Sequence, residues 1–178
     1  MDILLSSNLE RLLFELTGRD GAEVARLMAL LQTEQRAYEI SKKMRQNLWR
    51  DFYGGWCGRA DTVKAIRERF EKEGYLMDPH TAVAMHVCRA YRRETGDNTP
   101  AIVVSTANPY KFPASVLQAF DGDFDGLDEF EKLEELHRLS GWPVPEPLGS
   151  LRGKAPRFTG VCERGEMSRM VCEGLGIC

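Results

Sequence analysis

Apolar residues recur along this chain at helical spacing, in blocks separated by glycine, proline and short polar stretches. Leu9, Leu12, Leu13 and Leu16 fall three or four apart and line one face of a helix. Ser7-Asn8-Leu9-Glu10 in front of them reads as a capping box, and Gly18 supplies a residue able to end the helix in the left-handed region. A second helix is predicted from near Gly21, with Val24, Leu27, Met28 and Leu31 repeating the stripe until Gln32-Thr33-Glu34-Gln35 dilutes it. Tyr38-Glu39-Ile40 reads as a short strand, and Ser41 to Phe52 has helical composition before the Gly54-Gly55 pair. Asp61 is placed to cap a helix over Thr62 to Lys72, whose stripe is Val63, Ile66 and Phe70 and whose stop is Gly74. Asp78-Pro79 repeats that logic, since proline is tolerated at a first helical position, and Val83, Val87 and Tyr91 follow on one face up to Gly96. His80 therefore falls in a first helical turn.

The period then changes. Ala101-Ile102-Val103-Val104 is a continuous run rich in β-branched residues, bounded by Pro100 and by Ser105-Thr106, the pattern of a parallel strand buried on both faces. A strand after a helix predicts an α/β fold, helix-rich with a short parallel sheet. Ala107 to Pro113 reads as a loop, Ala114 to Phe120 as a short helix, and Leu127 to Leu139 as a longer helix with an acidic face, stopped by Gly141. Three prolines within Trp142 to Pro147 exclude regular structure there. Leu151 to Val161 is expected to cross with one strand, and Glu166 to Glu173 to form the last helix. No internal repeat is visible.

The chain's 178 residues suit one domain, 1–178. A hydrophobic share of 43% beside a charged share of 29% excludes a disordered chain. With 24 basic and 27 acidic side chains the net charge is −3, spread without a basic block, so nucleic acid is not an expected partner. The longest apolar run, Leu27 to Leu31, is far short of the roughly 18 residues that a membrane span needs, and Met1-Asp2-Ile3 lacks the basic start of a signal peptide. Five cysteines, Cys57, Cys88, Cys162, Cys172 and Cys178, with no CxxC among them, read as thiols of a reducing compartment, which predicts a cytoplasmic protein.

Few residues offer chemistry by pattern alone. Asp121-x-Asp123-x-Asp125-Gly126 opens like a calcium loop, but its twelfth position is Lys132 where a bidentate Glu is needed, so a solvated acidic loop is the better reading. Cys162, Cys172 and Cys178 lack the close pairing of structural zinc ligands, and no metal is expected. Ser105 and Thr106 are the more informative pair. Hydroxyls leaving the C-terminal end of a parallel strand lie where open α/β folds bind ligands, although both would also satisfy backbone groups at a strand end. Lys111 in the next loop is placed to hold an anion or to be solvated, and His80 to donate to a phosphate or to the backbone.

Three segments together resemble the threonine synthase family, in its longer clostridial and fungal form. They are Met1-Asp2-Ile3-Leu4-Leu5-Ser6-Ser7-Asn8-Leu9-Glu10-Arg11-Leu12-Leu13, then Gly74-Tyr75-Leu76-Met77-Asp78-Pro79-His80-Thr81-Ala82-Val83-Ala84, and Val104-Ser105-Thr106-Ala107-Asn108-Pro109-Tyr110-Lys111-Phe112. Their order and spacing match the family, and the stretch from Asp128-Glu129-Phe130-Glu131 through Trp142-Pro143-Val144-Pro145 to Val161-Cys162 resembles the family's end. The resemblance implies a fold related to the tryptophan synthase β chain, fold type II of the pyridoxal-phosphate enzymes, and places this chain in its C-terminal part. The N-terminal segments, with the Schiff-base lysine and the Gly-rich phosphate loop, have no counterpart here, and none of Lys42, Lys43, Lys64, Lys72, Lys111, Lys132 or Lys154 sits in the corresponding motif.

By that resemblance the cofactor is pyridoxal 5′-phosphate and the reaction converts O-phosphohomoserine and water to L-threonine and phosphate. The chain alone is expected to be inactive, with the missing N-terminal part of the same enzyme as its partner. The family pattern places a hydroxyl beside the cofactor's pyridine nitrogen at Thr106, with Ser105 adjacent, and makes Lys111 and His80 candidate substrate or phosphate contacts. A neutral hydroxyl there moderates the electron sink. Two alternatives stand beside this reading: a stand-alone association module, and a related phospholyase that eliminates phosphate to give a keto acid.

Overall fold

The computed structural model describes residues 5–34, 36–157 and 159–177, so Met1 to Leu4, Gln35, Phe158 and Cys178 lie outside the described residues. The chain divides into two compact units, residues 1–57 with 87–101 and residues 58–86 with 102–178.

In the first unit, α1 (Ser7–Leu16), α2 (Gly21–Leu30) and α3 (Lys42–Asp51) enclose a small core of Leu13, Val24, Leu27 and Met44. Each helix begins where a short polar side chain accepts a backbone N–H. Asp20 takes those of Ala22 and Glu23, Ser41 takes that of Met44, and Ser6 takes that of Leu9. The cap of α1 is thus Ser6, one residue before the predicted Ser7, because a cap must itself be non-helical and Ser7 has already entered the helix. The last turns of α5 (Pro79–Thr95) complete the unit. There the Tyr53 hydroxyl donates to Glu94 at 2.6 Å, and its ring meets Tyr91 edge-on at 5.1 Å. Gly55 is required by a close approach, since a Cβ at this position would lie 2.7 Å from the Val87 side chain.

The second unit contains α4 (Arg59–Glu73), the first turns of α5, α6 (Pro113–Leu117), α7 (Glu129–Ser140), the single turn α8 (Glu146–Gly149) and α9 (Met167–Leu175). Its core includes Ile66, Leu76, Met77, Val116, Leu117 and Leu136, all fully buried. Each such side chain contributes on the order of 1.5–3 kcal/mol through removal from water. The α7 entry is a complete capping box, Asp128 accepting the Glu131 N–H while Glu131 accepts that of Asp128, and Gly141 closes the helix at φ 70°. α4 begins at Arg59 and is capped by Gly58, three residues before Asp61, so Asp61 occupies the first turn and favours the helix through its charge near the positive end of the dipole.

The expected sheet is the main correction. Among the described residues there is no strand, and the predicted strands at Tyr38 to Ile40, Ala101 to Val104 and Leu151 to Val161 are irregular or turn-like; Phe158 of the last lies outside the described residues. Tyr38 and Ile40 instead pack against the first unit's core. Ile102 is 93% exposed and Val104 67% exposed. A parallel strand draws its backbone partners from neighbouring strands, and a β-branched run without them has the composition of a strand but not its bonds. The proline-rich stretch also holds one helical turn, α8, because Pro145 and Pro147 fall at its start, where a missing N–H costs nothing.

Candidate functional site

The site residues predicted from sequence gather on two segments of the second unit, the start of α5 and the chain from Ser105 to Lys111. Asp78 explains why α5 starts where it does. Its carboxylate is fully buried and accepts the N–H groups of His80 at 2.9 Å and Thr81 at 3.3 Å. It also accepts the Thr81 hydroxyl in a short hydrogen bond. No buried side-chain polar atom among the described residues lacks a partner.

Thr81 carries the connection to the second segment. Its Oγ1 lies 3.1 Å from Ser105 Oγ, 24 residues further along the chain. A hydroxyl has one hydrogen, and that of Thr81 goes to Asp78, an oxygen with none to give. The Ser105 hydroxyl therefore donates to Thr81, and its own hydrogen points into the protein. The next side chain, Thr106, is exposed.

A second anchor holds the far end of this segment. Asn108 accepts the Tyr110 N–H at 2.9 Å and starts the short 3-10 helix Pro109–Lys111. The buried Tyr110 phenol donates to the carbonyl of Trp142 at 2.5 Å, and burial pushes its pKa up. His137 Nδ1 lies 2.6 Å from the same carbonyl, so that nitrogen bears the proton. Trp142 is fixed in turn by its indole N–H, which donates to the Gly74 carbonyl at 3.0 Å. Thr106 and Ala107 thus lie between two pinned points, Ser105 and Asn108-Pro109-Tyr110.

His80 is half-buried, and its ring stands edge-on to Phe112. Lys111 is exposed on the rim of an apolar groove of about 470 Å³, whose floor includes Phe112, Phe130, Leu133 and Leu148. The structure therefore joins His80 to Ser105 through its own helix start and, through Phe112, to the groove that Lys111 rims. Thr81 is the residue that sequence reading missed. Asp-Pro-x-Thr at a helix start signals a reciprocal cap, but nothing in the sequence signals its bond to Ser105.

The acidic loop shows side chains occupied with protein partners. Asp121 pairs with Arg67 at 2.9 Å and Asp123 accepts the Asp125 N–H at 3.1 Å. Among the described residues no group of three or more His, Cys, Asp or Glu is placed to hold a metal ion. Cys57, Cys88, Cys162 and Cys172 form no disulfide among the described residues, and Cys178 lies outside them. No helix among the described residues is long and apolar enough to cross a membrane.

Comparison with solved structures gives the class. The chain superposes over 97% of its length on a pyridoxal-phosphate-bound threonine synthase from Brucella melitensis, with a TM-score of 0.65 and 33% identity, covering 33% of that chain. A yeast threonine synthase shares the fold at a TM-score of 0.66 and 24% identity, matching all of this chain and 36% of that one. The chain has the fold of about a third of a threonine synthase, a pyridoxal-phosphate enzyme.

Sequence similarity narrows it further. Residues 81–162 match the family model described as threonine synthase, C-terminal. The human protein called threonine synthase-like 1 is 37% identical over 164 residues, 92% of this chain and 20% of that protein. Threonine synthase of Pseudomonas aeruginosa is 34% identical over 145 residues, 75% of this chain and 29% of that enzyme. The chain corresponds to the C-terminal portion of the threonine synthase family, and spans between about a fifth and about a third of the length of the relatives it matches.

Proposed function

We propose that this chain forms one wall of the pyridoxal-phosphate site of a threonine synthase, which converts O-phosphohomoserine and water to L-threonine and phosphate. The observation that carries the reading is the hydroxyl pair at Ser105 and Thr106, in which Ser105 is bonded to Thr81 and the neighbouring Thr106 is exposed. The donor set suits the cofactor's pyridine nitrogen, because an exposed neutral hydroxyl donates without protonating the ring. When bound, the cofactor supplies an electron sink for charge that develops on the substrate carbons.

In this reading Thr106 donates to the pyridine nitrogen and Ser105 fixes the segment that carries it. Lys111 and His80 are secondary contacts for the substrate's phosphate, His80 from the first turn of α5 and Lys111 from the following loop. The Schiff-base lysine, the phosphate loop and the strands flanking Ala101 to Val104 come from polypeptide other than residues 1–178. The isolated chain is then inactive, and a cytoplasmic location accords with its thiols. The exposure of Ile102 and Val104 also favours a second reading, a module that associates with another chain through this edge.

The test is product analysis with O-phosphohomoserine and pyridoxal phosphate, using this chain preceded by the remainder of a threonine synthase polypeptide and, as control, the chain alone. Threonine and phosphate from the joined protein only is the expected result, whereas phosphate with a keto acid assigns a phospholyase instead. Thr106→Val removes the donor at nearly constant shape, and loss of one hydrogen bond of about 1.4 kcal/mol weakens cofactor binding about tenfold. Unchanged affinity removes Thr106 from the cofactor site.

A further inference from the structure

We infer that Thr81 is a positioning residue, which turns the Ser105 hydroxyl inward and leaves Thr106 as the outward donor of the segment. The inference rests on the assignment of Thr106 to the cofactor and adds to it a residue that touches neither cofactor nor substrate. Its basis is a directed chain of hydrogen bonds. Asp78 is fully buried and accepts three hydrogens, from the backbone of His80, the backbone of Thr81 and the Thr81 hydroxyl. With its hydrogen spent on Asp78, Thr81 Oγ1 offers Ser105 lone pairs only.

Two consequences follow from this polarity. The Ser105 hydroxyl does not donate outward, so it does not compete with Thr106 for an acceptor in front of the segment. The segment itself, which has no strand partners among the described residues, gains a fixed point one residue before Thr106. That fixed point is anchored in a helix start, where the buried carboxylate is held by two backbone N–H groups as well as by the positive end of the helix dipole. An ordinary helix cap would end at the Asp78 interaction with the backbone. The additional side-chain pair across 24 residues is what couples the cap to the segment.

The inference separates Thr81 from a residue that only stabilises the fold. Thr81→Val keeps the shape and removes the acceptor; Thr81→Ser keeps the hydroxyl and removes a methyl. Backbone amide exchange of residues 104–107, read by NMR or mass spectrometry on this chain, is expected to rise at least threefold in the valine variant and to return to the wild-type rate in the serine variant. In the joined protein, pyridoxal-phosphate affinity, followed by the absorbance of the bound cofactor, is expected to fall about tenfold with valine and to recover with serine, as for one oriented hydrogen bond.

Exchange at 104–107 unchanged by Thr81→Val overturns the inference, and so does a serine variant as impaired as the valine one. If the valine variant does not fold, Ser105→Ala breaks the same bond from its exposed side. Faster exchange at 104–107 is then the expected result, and an unchanged rate is fatal to the proposal. Thr106→Val distinguishes the two layers. If it leaves cofactor affinity intact while Thr81→Val still frees the segment, the cofactor reading falls and the positioning role stands.

Discussion

His80 and Phe112 stand edge to face, with ring centroids 5.3 Å apart and ring planes inclined at 71°. The contact links the start of α5 to the loop after Thr106, so two segments 32 residues apart in sequence are neighbours through one ring pair. An aromatic pair of this geometry contributes on the order of 0.5–1.5 kcal/mol beyond the area it buries. A double-mutant cycle of His80→Ala and Phe112→Ala, measured by chemical denaturation, is expected to return a coupling within that range; additive effects would show that the rings merely touch.

Leu136 is fully buried in α7, whereas Val171 on α9 is 59% exposed. Leu136→Ala leaves a cavity and is expected to cost about 2–5 kcal/mol in unfolding free energy. Val171→Ala, which trims a side chain already in water, is expected to change it by less than about 0.5 kcal/mol. Equal losses at the two positions would mean that α9 is covered in solution.

Gly141 ends α7 at φ 70°, and a Cβ built there meets nothing within 4 Å. The penalty for Gly141→Ala is therefore backbone strain alone, about 1–2 kcal/mol. Thermal unfolding of the alanine variant measures it directly, and an unchanged midpoint would contradict the left-handed conformation.

Asp97 has its carboxyl held down to about 2 by hydrogen bonds from the Thr99 side chain, the Thr99 N–H and the Tyr91 hydroxyl. An unperturbed Asp titrates near about 3.9, so its folded value is depressed. The stabilisation is then fully present above about pH 4 and fades as pH falls through about 2. A carboxyl ¹³C titration is expected to give a midpoint near 2 for Asp97, rising toward the ordinary value in Thr99→Ala.

The helices were legible because their signals are local. Asp20, Ser41 and Asp128 each cap the helix that follows, and the leucine stripe of α1 buries Leu13 as its spacing demands. The one-residue error at Ser7 arose where adjacent Ser6 and Ser7 compete to cap, a choice made by backbone geometry, whereas α4 is capped three residues before Asp61 by Gly58, which carries no side chain to signal it. The strand over Ala101 to Val104 failed for a different reason. A β-branched run states the surroundings that it suits, and whether those surroundings lie within residues 1–178 is not written in the run itself. Similarly, Asp78 was readable as a cap, whereas the Thr81 bond to Ser105 depends on where the chain returns.

The exposed Ile102 and Val104 also bear on how the protein behaves at high concentration. An exposed β-branched segment that has no strand partner among the described residues is a template for any other strand, including the same segment of a second molecule. Colloidal stability should then be governed by four residues. Light scattering during concentration is expected to show reversible growth of particle size for the natural sequence, and little growth for Ile102→Lys, whose charge repels its own copies without touching a buried atom. Handling the protein, and choosing what to add to keep it in solution, becomes a question of occupying one short edge.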